Sequence, residues 1–481
     1  MHQTKLIQLL ASFDKSEIKQ FESFLESPFF NSSKKLLAFY RILIQYHPEF
    51  ESPKLSKEKI YQKMHGKQPY SDPTMRELIS NLFKLAKEFI SHLELKNNPI
   101  GASNGRYAWL IKRGLNKISE QELAQCDELL RDTSRRDYDY YYQKWLADYN
   151  EYHYQSEVLR DLEHKLFKNK ELGQHIDSLN KYYLMHYLES YNYLMNMSRI
   201  YNKPVDTSIA AHIDALGARY TGRGDLLIDI FYGINQLLRN GDEKYYFELK
   251  GIFLSGDKSI ERAVLTELSI NLQNYCLQKL RGGDKRFGPE IMEILRFVID
   301  QELMIEGGKV PYSFYKNVVI MGVDFMDIDW VKAFVEKYKG LLSQQFKEEL
   351  YNFSMAYILF AERKYEEALT IAMCLAAFND FTKLDIKNLT ARIHYELGMF
   401  DQIDILLNSY PHHLNRETIS ASRKEINTLF TGFMRQLTDL NRQYSIQDWE
   451  RLSREIEQTI AFTNKRWFQE KIVELGRKYN Y

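Results

Sequence analysis

LYNFSMAYILFAERKYEEALTIAMCLAAFND (350–380) and DIKNLTARIHYELGMFDQIDILLNSYP (385–411) decide how this chain is built. Each stretch holds an amphipathic run, a break, an aromatic residue, a small or apolar residue three positions later, and a second run. Ala356, Tyr365 and Ala368 in the first correspond to Ala391, Phe400 and Ile403 in the second, 35 residues on in each case. Counting back by the same interval reaches Trp330 and Ala333. A period near 35 with two helices per copy predicts stacked helical repeats. The physical logic is one of burial. A small residue on the first helix lets the second approach, and the aromatic that opens the second helix fills the wedge. Neither helix buries its apolar stripe alone, so each pair needs a neighbour.

Ala356, Tyr365 and Ala368, followed by Ala391, Gly398, Phe400 and Leu407, resemble the signature small and aromatic positions of the tetratricopeptide repeat family. The resemblance covers about residues 315–415, in copies at 312–345, 346–380 and 381–414. The pattern departs from the family at Ala372, Leu375 and Ile403, and Asp380 and Asn415 stand where a closing proline is usual. The resemblance implies an all-α chain whose repeats form a right-handed TPR-like α-solenoid, with the first helix of each pair lining a concave groove. Carried onto this sequence, the groove residues are Phe353, Tyr357 and Phe360 in one repeat and Asn388, Arg392 and Tyr395 in the next. Spacings of four and three place each trio on one side of its helix; packing between repeats is the plainer role for the same aromatics.

The composition agrees with helices. The 481 residues include 10 prolines and 22 glycines, few enough for long helices with short connections. The 34 tyrosines suit grooves between helices, where the ring is buried and the hydroxyl reaches water. Net charge is zero overall, but residues 1–120 carry 19 Lys and Arg against 12 Asp and Glu. That basic end suggests an anionic partner, or simply a lysine-coated surface. Cys126, Cys276 and Cys374 are too far apart for a zinc or redox motif, and so sparse a set suits a reducing, cytoplasmic setting. No run approaches the length of a membrane span, and the first residues are too soon interrupted for a signal peptide.

Residues 1–96 read as an N-terminal helical domain. KSEIKQFESFLESP is a helix stopped by Pro28, and Asn31 or Ser32 caps the next. A third follows Pro53, and Asp72 caps a fourth with Pro73 in its first turn. With its SPFFN turn and PKLSKEK segment, this opening resembles the N-termini of uncharacterised bacterial helical proteins. NNPIGASNG predicts a linker over 97–106, leaving 107–481 as the repeat domain. There, Gly173 is expected to break a helix, and 177–202 to form a long one ended by Pro204. Glycine loops at 221–225, 240–242, 255–257, 281–284 and 306–311 are expected to separate single helices. Trp449 and Trp467 are expected to pack the closing helices.

Motifs of known chemistry are missing. His153, His164, His175 and His186 recur every 11 residues, about 16 Å of helix, which is too far apart for one metal ion. His394 with His412 and His413 has no carboxylate or thiol beside it. Of Asp324, Asp327 and Asp329, the last is expected to cap a helix starting at Trp330. GGK at 307–309 lacks the rest of a phosphate loop. No catalytic residue, metal or cofactor is therefore expected. The expected function is a cytoplasmic scaffold or adaptor that binds a protein or peptide in the groove. The alternative is a nucleic-acid-associated regulator using Lys34, Lys35, Lys54, Lys57, Lys59, Lys63 and Lys67, with Tyr61 and Tyr70 to stack on bases.

Overall fold

The computed structural model describes residues 4–133, 136–154, 171–201, 203–305, 307–325, 328–375, 380–414, 421–459 and 462–479. Among these every regular element is a helix. They fall into two compact units, Met1–Thr133 with Gln143–His175, and Ser134–Tyr142 with Ile176–Tyr481. No helix among the described residues is long and apolar enough to cross a membrane.

The first unit holds α1 (Lys5–Ser12), α2 (Lys15–Glu26), α3 (Lys34–Leu43), α4 (Lys57–His65), α5 (Asp72–Asn97), α6 (Pro99–Ile111) and α7 (Asn116–Asp132). Side chains that satisfy free N–H groups start α1 to α6. Asp14 and Glu17 form a reciprocal capping box on α2. Ser33, rather than Asn31 or Ser32, caps α3, because Asn31 is occupied in bonding the turn before it. Ser71, not Asp72, caps α5; Asp72 is its first helical residue and pairs with Lys57 and Arg76. The core under α1–α5 comes wholly from residues 6–93, with Phe21, Phe39, Tyr40 and Leu82 at its centre.

The linker expected at 97–106 is helical over nearly all its length. Asn98 accepts the Gly101 N–H, and Pro99 occupies the first turn of α6, where its missing N–H costs nothing. The polar residues that read as a flexible stretch instead make a buried network. Asn104 donates to Gln143 and accepts from Asn150, and the Tyr107 hydroxyl donates to the Asn150 carbonyl.

Helix α8 (Tyr138–His153) and α9 (Glu171–Tyr201) each have residues in both units. Gly173 lies in the first turn of α9, and the run before it, residues 155–170, is outside the described residues. The second unit continues with α10 (Ala210–Tyr220), α11 (Leu226–Asn240), α12 (Glu243–Leu254), α13 (Arg262–Arg281) and α14 (Phe287–Asp300). The glycine loops fall between these helices as expected; Gly241 closes α11 at φ 65°, a left-handed conformation that favours glycine.

Then come α15 (Tyr312–Phe325), α16 (Ile328–Tyr338), α17 (Lys347–Ala361), α18 (Tyr365–Cys374), α19 (Asp380–Glu396) and α20 (Phe400–Asn408). These are three successive helix pairs at the spacing read from the sequence. Tyr365 and Phe400 open their helices, and Ala356, Ala368, Ala391 and Ile403 are fully buried. In the first pair Gly322 supplies the close approach: a Cβ there would lie 2.7 Å from the Val331 side chain. The α16 helix starts two residues before Trp330, so Asp329 lies in its first turn and is not its cap. Residues 318–323 are helical. Each helix packs chiefly on its neighbours in chain order, α17 for instance on α15, α16, α18 and α19. The chain ends with the short α21 (Tyr410–Leu414), then α22 (Ala421–Arg442), α23 (Ile446–Gln458) and α24 (Lys465–Lys478).

Candidate functional site

Within the second unit the helices enclose a cavity of about 2240 Å³. Its walls come from α9, α13, α15, α17, α19, α22 and the start of α24, with residues of the connecting loops; between α13 and α20 the lining helix is the first of each pair. No lining residue comes from α14, α16, α18, α20 or α23. Helix α13 forms the long wall. Arg262, Thr266, Ile270, Asn274, Leu277 and Arg281 share one face at helical spacing, over about 28 Å. The start of α24 comes back against earlier helices. Arg466 Nη1 donates to the Asp324 carbonyl at 2.6 Å, although 142 residues separate them. Lys471 and the Trp467 indole both donate to the Glu396 carboxylate, at 2.9 and 2.8 Å. Trp449 donates to the Ile472 carbonyl, so both tryptophans pack the closing helices.

Seven arginine or lysine side chains line the cavity against four carboxylates. They are not evenly spread. At one end Lys316, which is 8% exposed, pairs with Asp385, and Arg423 Nη2 approaches the other oxygen of the same carboxylate at 3.5 Å. Arg281, from the last turn of α13, is near enough to feel both Arg423 and Asp385, yet it makes no hydrogen bond or ion pair among the described residues. Its guanidinium keeps contact with solvent in the cavity, while protein surrounds it at longer range. Burial and the like charge of Arg423 both push its pKa down, with Asp385 opposing. Lys316 and Arg423 thus share the Asp385 carboxylate.

Toward the other end of the α13 wall, near Arg262, lie two carboxylates. Glu267 faces Glu189, and burial together with that neighbouring charge raises its carboxyl to about 7. Asp324, on the α15 wall, is also pushed upward by burial, against the pull of Arg392 and Arg466.

Of the six residues expected in a groove, Tyr357 and Asn388 line the cavity. Asn388, 2% exposed, accepts from the Tyr410 hydroxyl and donates to Asn427, so it holds three helices in register. Phe353 is wholly buried against Tyr357. Arg392, 5% exposed, lies behind that wall over the Phe360 ring at 4.8 Å, and its Nε and Nη2 have no hydrogen-bond partner among the described residues. Tyr395 packs on Trp467 and bonds Asn441. Four of the six therefore sit between helices, the plainer of the two roles open to them. Arg281, Lys316, Asp385, Arg423 and Glu267 were not foreseen. The charged cluster joins residues up to 142 positions apart, and no local pattern marks it.

The other candidates stay apart. His175 stacks on Tyr152, and His186 lies beside Tyr182. His394 is buried with its pKa lowered by burial. His164, Asp327 and Asn415 lie outside the described residues. Among the described residues no three His, Cys, Asp or Glu side chains come together as metal ligands. In the N-terminal unit Lys57 pairs with Asp72, Lys59 donates to the Pro53 carbonyl, and Lys63 donates to the Tyr46 hydroxyl. Compared with known proteins, the chain matches no family model, no curated protein and no solved structure.

Proposed function

We propose that the protein is a non-catalytic adaptor that holds an extended segment of a partner protein in the cavity of its second unit, on the concave side of a TPR-like helical solenoid. One observation carries the reading: a cavity of about 2240 Å³ along which α13, α15, α17 and α19, the first helices of four successive pairs, all contribute lining residues. Small-molecule pockets span roughly 300–1,000 Å³, so a compact metabolite would leave most of this volume to water. An extended segment rises about 3.3 Å per residue, and the 28 Å wall of α13 would match about eight residues. Three free thiols, Cys126, Cys276 and Cys374, support a reducing compartment such as the cytoplasm. The lysines of the first unit support the nucleic-acid alternative less well, since several are engaged locally.

A photo-crosslinking amino acid at Ile270, half-exposed on the cavity face of α13, tests the proposal against one at Ile405, exposed on α20. In nuclease-treated extracts of the source cells, Ile270 should cross-link to a defined polypeptide that Ile405 does not capture. Equal capture from both positions, or cross-links to nucleic acid alone, overturns it.

A further inference from the structure

The turn between α6 and α7, in the first unit, carries an exposed patch that folding does not use. Residues 112–118, KRGLNKI, are exposed without interruption, and Trp109, just before them, is 53% exposed. Leu115 and Ile118 are 39% and 47% exposed. Single exposed apolar side chains are ordinary, but three large ones between Trp109 and Ile118 form a patch. Core packing does not account for them. Ile100, Ser103, Asn104 and Tyr107 make the buried stripe of α6, and Trp109 stands about 200° round the helix from Tyr107, on the opposite face. Gly114, at φ 68°, turns the chain, and the Leu115 N–H closes the turn on the Leu110 carbonyl at 3.2 Å. The same turn is basic. Residues 95–119 hold Lys96, Arg106, Lys112, Arg113 and Lys117 and no Asp or Glu. Arg106 is engaged by Glu122, and the Arg113 guanidinium lies 3.6 Å from the centre of the Trp109 ring. Lys112 and Lys117 make no hydrogen bond or ion pair among the described residues.

We propose that this turn is a peripheral membrane anchor. It seats the first unit on an anionic lipid surface: Trp109, Leu115 and Ile118 enter the headgroup region, and Lys112, Arg113 and Lys117 meet the charged lipid groups. Shape and composition both favour a bilayer. An uninterrupted exposed turn is convex, and a deformable bilayer closes around such a tip, whereas a protein partner has to present a matching hollow. An indole with a guanidinium on its face has an apolar body and a charged rim, the combination that sits at the boundary between hydrocarbon and water. The lysine stems are long enough to keep their charge among the headgroups while the apolar side chains go deeper. The first carboxylate after the turn, Glu120, lies beyond the first turn of α7, so the tip itself holds nothing that repels an anionic surface. The contact lies on the membrane without crossing it, and no described helix could cross one. The anchor does not depend on the cavity of the second unit or on the adaptor reading.

Flotation of the full-length protein with vesicles tests this, using phosphatidylcholine alone and phosphatidylcholine with about 30% phosphatidylserine. The protein should bind the phosphatidylserine vesicles roughly tenfold more tightly or better, and the preference should fade as salt is raised. Tryptophan emission should shift to the blue on binding, and Trp109→Phe should abolish that shift. Lys112→Gln combined with Lys117→Gln should weaken binding roughly tenfold or more. The Tm should stay that of the wild type, since neither lysine has a partner to lose. Lys34→Gln combined with Lys35→Gln removes the same charge from another exposed place in the unit and should leave binding unchanged. No binding to either vesicle, an equal loss from both lysine pairs, or a blue shift that survives Trp109→Phe overturns the anchor. Binding to poly-glutamate with the vesicles left unbound overturns it in favour of an acidic protein surface. Oligothymidylate held by Lys112 and Lys117 as tightly as the vesicles overturns lipid as the ligand.

Discussion

Replacing Glu396 by alanine should unlatch the last helix from the rest of the second unit. Its carboxylate accepts from the Trp467 indole at 2.8 Å and from Lys471 at 2.9 Å, and the Lys471 and Glu396 side chains are only 11% and 12% exposed. Losing the acceptor leaves the Trp467 N–H unsatisfied, at about 1–3 kcal/mol, and removes a hydrogen bond to a charged group, about 1.5–3 kcal/mol more. Glu474 stays within 2.6 Å of Lys471, but it is more than half exposed and compensates the charge only in part. The expected cost is about 3–5 kcal/mol. It should appear locally, because α24 packs chiefly on α22 and α23 and can open without the rest. Amide hydrogen exchange reads this directly: residues 465–478 should exchange at least a hundredfold faster, with each tenfold worth 1.36 kcal/mol, while α2 and α5 stay unchanged. Glu396→Gln keeps an acceptor for the indole and should lose less. A change under tenfold in α24 would refute the assignment of Glu396 as the latch.

Ala368→Glu should lower stability by about 2–4 kcal/mol, because Ala368 has no exposed surface and the added carboxylate would be both buried and overpacked; an unchanged Tm would refute that. Gly322→Ala and Gly432→Ala should have opposite signs. Both gain about 1 kcal/mol of helix propensity, but at Gly322 the new methyl meets Val331 at 2.7 Å, costing about 1–3 kcal/mol, whereas at Gly432 nothing lies within 4 Å; urea melts of the two variants check it. Glu267 has a folded pKa near 7 against an ordinary 4.5, so its burial disfavours the charged form. Its contribution is whole below pH 4.5 and is lost as pH rises through 7. Glu267→Gln should therefore gain Tm relative to the wild type as pH is raised from 4.5 to 8, and a difference independent of pH would overturn the assignment.

The repeat pairs were legible in the sequence because their determinants are local. Ala356 and Ala368, then Ala391 and Ile403, are small or apolar at positions set by helical periodicity, and the 35-residue interval carries their spacing without any long-range contact. Capping was harder to place, since Asn31, Ser32 and Ser33 are all chemically able to cap α3 and only the turn geometry selects Ser33. The linker misread at 97–106 has a similar cause. Asn, Gly and Ser mark a loop by propensity, but packing of α6 uses the same residues as a cap and a buried amide network, and tertiary burial outweighs a propensity of about 1 kcal/mol per residue. The sequence by itself thus determined that the chain is helical and where its helix pairs fall. Only the tertiary structure decided which of those faces meet across the cavity. Arg281, Lys316, Asp385 and Arg423 are ordinary polar residues on four separate helices. Their chemistry comes from being brought within Coulomb range along one cavity, and no periodicity encodes that distance.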